Sequence, residues 1–260
     1  MDAVSTARGS ASVDPREVEH YRKLAETWWD SSGPFWPLHR LNRLRVPFIR
    51  DHACRRFGRD SGQARPLEGL TVVDVGCGGG ILAESMARLG AAVTGIDVVD
   101  RNVFIAEEHA RKAGLDINYE LTTAEAVAED DRVFDIVLNM EVVEHVADLD
   151  GFMAACGELV KPGGQMFVAT INRTPLAWLF AIFGAEYVLR WLPRGTHRYR
   201  LLRKPAEIRA LLERAGLEVD ATTGVRVNPL SKQLSLTDST AVNYMLAAGR
   251  RNAVAGNGTG

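Results

Sequence analysis

Residues 72–80 read Val-Val-Asp-Val-Gly-Cys-Gly-Gly-Gly, an apolar β-branched run that leads into a glycine-rich loop. Glycines let the backbone turn tightly and approach a ligand closely. Asp97 closes the next apolar run, about 20 positions further along, where a carboxylate can accept hydrogen bonds from ribose hydroxyls. A helix after the loop would add the positive end of its dipole. The pattern is typical of a nucleoside-cofactor site at the ends of two parallel strands.

The spacing of the glycines discriminates between cofactor classes. A dinucleotide fingerprint, G-x-G-x-x-G, would need its third glycine at position 81, which is occupied by Ile81. Gly76, Gly78 and Gly80 instead form G-x-G-x-G, which suits a cofactor without a pyrophosphate. S-adenosylmethionine is the common cofactor of that kind, so the loop favours methyl transfer. An ordinary strand-to-helix turn of an α/β protein is the alternative that the loop alone leaves open.

The composition is that of an ordinary globular protein. The chain has 260 residues, of which 46% are hydrophobic and 25% charged, and a formal net charge of −2. It is long enough for one sizeable domain with additions, and its charge gives no general reason to expect a nucleic-acid partner. Cys54, Cys77 and Cys156 have neither disulfide nor metal-site spacing, which favours a reducing compartment. No uncharged apolar run reaches the length that a membrane-spanning helix needs.

Apolar β-branched runs alternate with helical patterns through the middle of the chain. The runs lie at 71–76, 91–96, 133–138 and 165–171, and the helical patterns at 79–89, 101–113 and 149–160. Alternation of this kind predicts parallel strands joined by crossover helices. Residues 217–223 and 241–248 can supply the last strands. We therefore expect an α/β fold with a Rossmann-like, doubly wound, mostly parallel sheet.

The regions outside this core predict additions to it. Helical spacing follows the start signal Asp14-Pro15 through residue 30 and returns at 38–57. The predicted organisation runs in chain order: a disordered tail at 1–12, an N-terminal helical cap at 13–58, a methyltransferase domain at 66–249 with an inserted apolar, amphipathic lid at 173–203, and a disordered tail at 250–260.

Candidate binding residues follow the ends of four predicted strands. Gly76 ends the first, Asp97 the second, Glu125 follows the third, and Met140 ends the fourth. Ligands of open parallel sheets bind beyond the carboxyl ends of the strands. We therefore expect these residues, with Gly78, around one cofactor pocket, with Met140 as an apolar wall for the adenine or the methionine chain. A simple core methionine is the alternative interpretation of Met140.

Longer motifs extend over most of the chain. They are Trp28-Trp29-Asp30, residues 37–42, residues 73–87, Glu141-Val142-Val143-Glu144-His145-Val146, Asn172-Arg173-Thr174, Gly184-Ala185-Glu186-Tyr187, residues 193–197 and residues 242–245. In these motifs the sequence resembles the O-methyltransferases of ubiquinone biosynthesis, from about residue 14 to residue 248. The resemblance implies the seven-stranded sheet of the class I S-adenosylmethionine-dependent methyltransferases. It also implies an enzyme that methylates polyprenylated catechols, namely 2-polyprenyl-6-hydroxyphenol and 3-demethylubiquinol, at two steps of the pathway.

The resemblance also implies cofactor contacts at Arg45, Gly76, Asp97 and Met140. Arg45 lies in the second predicted helix of the cap, from which its guanidinium could bind the methionine carboxylate with paired hydrogen bonds. A solvated helix arginine is the alternative. A methyltransferase for another small phenol, or a non-catalytic cofactor-binding scaffold of a quinone-synthesis complex, are the alternative functions.

A metal site is expected at Glu141, Glu144 and His145. Their i, i+3, i+4 spacing would place all three on one face at the start of a helix. Two carboxylates and an imidazole can hold a divalent cation, and the resemblance implies Mg²⁺, which would lower the pKa of a catechol oxygen. Helix capping and surface ion pairs are the alternative. His197, after Gly195-Thr196, is a candidate acid/base or substrate contact, although a loop histidine is more often structural.

Residues 176–192 are apolar and aromatic, and basic residues follow them up to Lys204. This composition suits an interfacial helix or lid beside anionic headgroups, so we expect 176–204 to contact the membrane in which a prenylated substrate resides. A buried helix is the alternative. The expected location is cytoplasmic, peripheral at the inner face of the membrane; the matrix face of the mitochondrial inner membrane is the alternative. Other enzymes of ubiquinone biosynthesis are expected partners.

Overall fold

The computed structural model describes residues 11–177, 201–228 and 233–252. The strands are β1 Thr71–Val75, β2 Ala92–Asp97, β3 Ile117–Leu121, β4 Phe134–Met140, β5 Val160–Ile171, β6 Leu217–Val227, β7 Leu234–Thr237 and β8 Asn243–Arg250. The helices are α1 Pro15–Leu24, α2 Trp36–Arg56, α3 Ile81–Arg88, α4 Asp100–Lys112, α5 Ala124–Glu129, α6 Leu149–Glu158 and α7 Pro205–Arg214, with a short helical segment at Pro175–Ala177.

The strands form one sheet in the order β3-β2-β1-β4-β5-β8-β6-β7. Strands β1 to β5 pair in parallel, and β8 runs antiparallel between β5 and β6. The predicted α/β, doubly wound, mostly parallel architecture is confirmed. Within the described residues the sheet has eight strands instead of the predicted seven, because β7 pairs antiparallel with β6 at the edge. β7 is only four residues long and its sequence, Leu-Ser-Leu-Thr, lacks the apolar run of a buried strand.

Alternate side chains of the central strands enter two separate cores, as the two-residue repeat of a strand requires. On β4, Ile136 and Leu138 belong to the core that also contains side chains of α2, α3 and α4. Val137, between them, belongs to the opposite core, with Phe152 of α6 and Leu212 of α7. Both faces of the sheet are therefore covered, which explains why β1 and β4 have apolar side chains on both faces.

The N-terminal segment packs over the start of α3. Helix α1 begins where predicted, since the Asp14 side chain accepts a hydrogen bond from the backbone N–H of Arg16 at 2.9 Å. It ends at Leu24, earlier than residue 30, and continues as a single 3₁₀ turn. Trp28 and Phe35 then stack with ring centroids 3.7 Å apart, in a small core with Ile81. The cap is thereby fixed beside the glycine loop.

The chain after β4 does not form the helix that the sequence predicts there. The N–H of Glu141 donates to the carbonyl of Ala169 at 2.8 Å, which prolongs the β4–β5 pairing by one residue. Glu141 itself has a φ of 62°, in the left-handed region, and a single 3₁₀ turn, Val143–His145, follows. The expectation that Glu141, Glu144 and His145 share one helical face is therefore wrong, because strand pairing and a left-handed residue replace the first helical turn.

Most of the predicted lid, and His197 with it, lies at 178–200, outside the described residues. Within 11–177, 201–228 and 233–252, no helix has the length and apolar character needed to cross a bilayer.

Candidate active site

A cavity of about 660 Å³ opens beyond the carboxyl ends of β1, β2 and β4 and is closed on one side by α1 and α2. Its volume lies within the range of small-molecule sites. The cavity brings together all six residues that the sequence assigns to the cofactor, which are Arg45, Gly76, Gly78, Asp97, Glu125 and Met140. Glu141 and His145 also line it. Parallel strand order accounts for this convergence, because β1, β2 and β4 are neighbours in the sheet.

The glycine loop needs glycine for two reasons. Gly76, Gly78 and Gly80 have φ values of 67°, 54° and 83°, which side chains rarely tolerate. A Cβ at position 78 would also lie 2.5 Å from Cη2 of Trp28, whose ring covers the loop. The first reason can be anticipated from the motif, whereas the contact with Trp28 depends on the fold of the cap.

Asp97 is held in a fixed position at the end of β2. Its Oδ2 accepts from the backbone N–H of Gly78 at 2.9 Å, and its Oδ1 accepts from the N–H of Val99 at 2.8 Å and from Nδ2 of Asn102 at 3.3 Å. Burial raises the pKa of Asp97 above its usual value, and these hydrogen bonds to the carboxylate oppose the rise. The side chain is thus a pre-oriented acceptor facing the cavity.

Arg45 and Glu125 offer further polar atoms at the cavity wall. The Arg45 side chain is buried and forms an ion pair with Glu141, so the solvated-arginine alternative does not hold. Its Nε has no hydrogen-bond partner among the described residues, and neither does the buried Oε2 of Glu125. Buried polar atoms without partners are costly, and both are therefore available to a bound ligand.

Asp74, in β1, is a second buried carboxyl group near Asp97. Burial, with the negative charge of Asp97, raises the pKa of Asp74 to about 7, although the backbone N–H of Ala83 and the charge of Arg45 oppose the rise. Its Oδ2 has no partner in the described part of the chain. Without a ligand, the ionised form of Asp74 is therefore unfavourable in the folded protein.

We expect Asp74→Asn to remove a pH dependence of stability. The pKa of Asp74 is 3.8 in the unfolded chain and about 7 in the folded protein. The protonated carboxyl group therefore contributes its full stabilisation to the folded state below about pH 4, and this stabilisation is lost as the pH rises to 7. The cofactor-free variant should be more stable than the parent at pH 8 by about 2 kcal/mol, since its amide donors offset part of the gain. Urea unfolding at pH 4, 6 and 8 measures this; parallel pH profiles of parent and variant would contradict it.

The three predicted metal ligands have separate partners. Glu144 is 2% exposed and its Oε2 accepts from Thr170 Oγ1 at 2.8 Å. Glu141 pairs with Arg45. The ring nitrogens of His145 lie 3.0 Å from Oε2 of Glu17 and 3.1 Å from the Tyr21 hydroxyl, both on α1. Across the residues the structure describes, no group of three or more His, Cys, Asp or Glu side chains is arranged to hold a metal ion.

The two carboxyl groups do influence each other. Burial, and the negative charge of the neighbouring Glu141, raise the pKa of Glu144 well above its usual value. The Oε1 of Glu144 is buried without a hydrogen-bond partner among the described residues. Burial and surrounding carboxylates likewise raise the pKa of the Tyr21 hydroxyl, which therefore stays protonated. Glu141 and His145 thus lie at the cavity wall, and Glu144, which is not among the lining residues, is buried beside Glu141.

Four residues of the site were not anticipated from the sequence as functional. They are Glu17, Tyr21, Trp28 and Asn102. Glu17 and Tyr21 are signalled only by their place on the faces of the N-terminal segment, and Trp28 also by its place in the Trp28-Trp29-Asp30 motif. Asn102 follows Asp97 closely within the next helix. Their contacts span 74 to 128 residues between the cap and the domain, and no local pattern encodes such distances.

The sequence matches one protein family and is similar to several known proteins along most of its length. A family described as "Methyltransferase domain" matches residues 40–222. The chain is 52% identical to a "Ubiquinone biosynthesis O-methyltransferase" of Rhizobium leguminosarum bv. trifolii over 94% of this chain and 97% of that protein. Relatives with the same name in Brucella anthropi and Sinorhizobium medicae are 52% and 53% identical, again over 94% of this chain and over 99% and 98% of theirs.

Solved structures share the fold at low identity. Magnesium protoporphyrin IX methyltransferase of Synechocystis PCC 6803, with bound S-adenosylhomocysteine, superposes with a TM-score of 0.59 at 18% identity, covering 96% of this chain and all of that one. The PH0226 protein of Pyrococcus horikoshii OT3 gives a TM-score of 0.59 at 13% identity, covering 89% and 99%.

Proposed function

The chain belongs to the ubiquinone biosynthesis O-methyltransferases, and from that premise we propose that it methylates polyprenylated catechols, 2-polyprenyl-6-hydroxyphenol and 3-demethylubiquinol. It is an S-adenosylmethionine-dependent O-methyltransferase. One observation supports this acceptor class above others: the cavity that contains the nucleoside-binding residues continues along an apolar wall formed by Leu38, Leu41, Ile171 and Leu234. A prenylated ring fits such a wall, because its chain loses water contact there.

The residues of the cavity divide into a cofactor side and an acceptor side. On the cofactor side, Asp97 accepts from the ribose, Arg45 can bind the methionine carboxylate, and the glycine loop lets the backbone approach the nucleoside. When bound, S-adenosylmethionine supplies an activated methyl group whose leaving thioether needs no acid. The protein therefore has to position the acceptor oxygen in line with that methyl group and remove its proton.

We propose that a divalent cation, Mg²⁺, assists the deprotonation at the Glu141–Glu144 pair. Two neighbouring carboxyl groups support this: Glu141 lines the cavity, and the buried Glu144 has an oxygen without a hydrogen-bond partner among the described residues. Carboxylate oxygens are ligands that a hard cation prefers. His145 does not fit as a third ligand, since Glu17 and Tyr21 face its ring nitrogens. A bound cation there would favour the ionised form of the acceptor hydroxyl.

Transfer of a labelled methyl group to a short-chain prenylated catechol tests both proposals. We expect product with added Mg²⁺, loss of turnover with a chelator, and recovery when the metal is restored. Turnover that survives the chelator would contradict the metal proposal and support the acceptor class. No product, together with tight cofactor binding, would contradict the acceptor class.

We propose further that the chain binds the membrane peripherally at the cytoplasmic face, through residues 176–204. Arg203 and Lys204 at the end of this segment, and Leu176 at its start, which is 43% exposed, support the proposal within the described residues. The matrix face of the mitochondrial inner membrane is the alternative location.

Flotation with anionic vesicles tests the membrane proposal. We expect the parent chain to float with the vesicles and a variant that lacks residues 176–192 to stay in solution, because the deletion removes the apolar and aromatic part. A folded deletion variant that floats as well as the parent would contradict it.

A further inference from the structure

A chain of two hydrogen bonds connects the N-terminal cap to the carboxylate that faces the ribose. Nε1 of Trp28 donates to Oδ1 of Asn102 at 2.8 Å, and Nδ2 of Asn102 donates to Oδ1 of Asp97 at 3.3 Å. Trp28 is 7% exposed and Asn102 is 2% exposed. Water therefore competes little for these donors and acceptors, and each of them needs a hydrogen-bond partner within the protein.

The chemistry of the three side chains allows only one orientation of the Asn102 amide. An indole N–H donates and never accepts, so the amide must present its oxygen to Trp28. Its NH₂ group then points toward Asp97, whose ionised carboxylate only accepts. If the N–H of Trp28 were absent, the amide could rotate and present its oxygen to the carboxylate, which is repulsive.

Packing fixes the position of the Trp28 donor. The indole stacks on Phe35 with ring centroids 3.7 Å apart and an interplanar angle of 3°. Trp28 also covers the glycine loop, where a Cβ added at position 79 would lie 2.4 Å from the Cβ of Trp28. The ring cannot tilt without breaking this stack. Docking of the segment that contains Trp28 and Phe35 therefore sets the direction of the N–H bond.

We propose that Trp28 and Asn102 are positioning residues for cofactor binding: they hold Asp97 in the orientation that receives a ribose hydroxyl, so the cap prepares the cofactor site. A carboxylate can accept about four hydrogen bonds, so the three protein donors on Asp97 leave room for a ribose hydroxyl. The proposal rests on the proposed role of Asp97 as the ribose acceptor. It adds that cofactor binding depends on the docking of the N-terminal segment.

The test compares S-adenosylhomocysteine with its 2′,3′-dideoxy form in calorimetric titrations of the full chain. Trp28→Phe keeps an aromatic ring for the stack and removes the N–H, together with part of the indole ring. We expect it to weaken binding of S-adenosylhomocysteine about fivefold. Asn102→Leu removes both bonds of the amide and should weaken it about tenfold or more. Neither change should alter binding of the dideoxy form by more than about twofold, because that form makes no bond with Asp97.

Trp29→Phe is the matched control. It removes the same kind of N–H one residue away, which donates to the carbonyl of Gly79 at 2.9 Å and does not reach Asp97. Its effect should be equal for the two ligands. Thermal unfolding of each variant confirms that it is folded, and Trp28→Phe suffices if Asn102→Leu does not fold.

Two outcomes would overturn the proposal. Equal weakening of both ligands by Trp28→Phe would show that Trp28 acts through packing alone. Unchanged binding of S-adenosylhomocysteine by Trp28→Phe would show that the hydrogen-bonded chain does not position Asp97. Weaker binding of S-adenosylhomocysteine, with unchanged binding of its dideoxy form, supports the proposal.

Discussion

Replacing Asp97 by alanine is expected to weaken binding of S-adenosylhomocysteine about 100-fold. A hydrogen bond to a charged group contributes about 1.5–3 kcal/mol. The loss of a ribose hydrogen bond that contributes about 3 kcal/mol corresponds to about two factors of ten in the dissociation constant. The same change leaves the N–H groups of Gly78 and Val99 without their acceptor. The dissociation constant from calorimetry measures the effect. Asp97→Asn, which keeps the volume, should weaken binding at least about tenfold.

Asp100→Asn is the control for this prediction. It removes a carboxylate three positions away that is 52% exposed and pairs with Arg22 on α1. Binding of the cofactor should change less than about twofold, since exposed ion pairs contribute little. If Asp97→Ala bound S-adenosylhomocysteine as tightly as Asp100→Asn, Asp97 would not be the ribose acceptor.

The convergence of the expected cofactor-binding residues on one cavity could be predicted from the sequence because its determinants are local. The glycine loop needs left-handed backbone at Gly76, Gly78 and Gly80, and only a glycine pattern provides that without strain. The position of Asp97 follows from the length of one strand–helix–strand unit. Parallel strand order then brings the four strand ends together without any long-range information.

The acceptor side could not be predicted in the same way. The spacing of Glu141, Glu144 and His145 fits a helix, but the sequence does not reveal that Glu141 continues the pairing with β5 through the Ala169 carbonyl. Tertiary pairing overrides helical spacing there. His145 then faces Glu17 and Tyr21, more than 120 residues earlier in the chain, and only the docking of α1 places them together.

Substitution of Glu144 can separate an effect on catalysis from an effect on stability. We expect Glu144→Ala and Glu144→Gln to lower the turnover number about 1,000-fold, within the range of acid–base and charge-stabilising groups. The cofactor should bind within about threefold of the parent, because Asp97, Arg45 and the loop are unchanged. Turnover at saturating cofactor and calorimetric titration measure the two quantities separately.

The glutamine variant distinguishes loss of charge from loss of packing. It keeps the shape of the side chain and an oxygen that can accept from Thr170, whose hydroxyl lies 2.8 Å from Oε2 of Glu144. Burial and the charge of Glu141 raise the pKa of Glu144 in the folded state. Ionisation of Glu144 therefore lowers the free energy of unfolding as the pH rises above the pKa that this group has in the unfolded chain. Glu144→Gln should therefore unfold at a temperature equal to or above that of the parent at pH 8, while turnover is lost. A glutamine variant that retains turnover within tenfold of the parent would show that the charge of Glu144 takes no part in the reaction. An inactive variant of higher stability would show that this buried carboxylate is retained for catalysis at the expense of the fold.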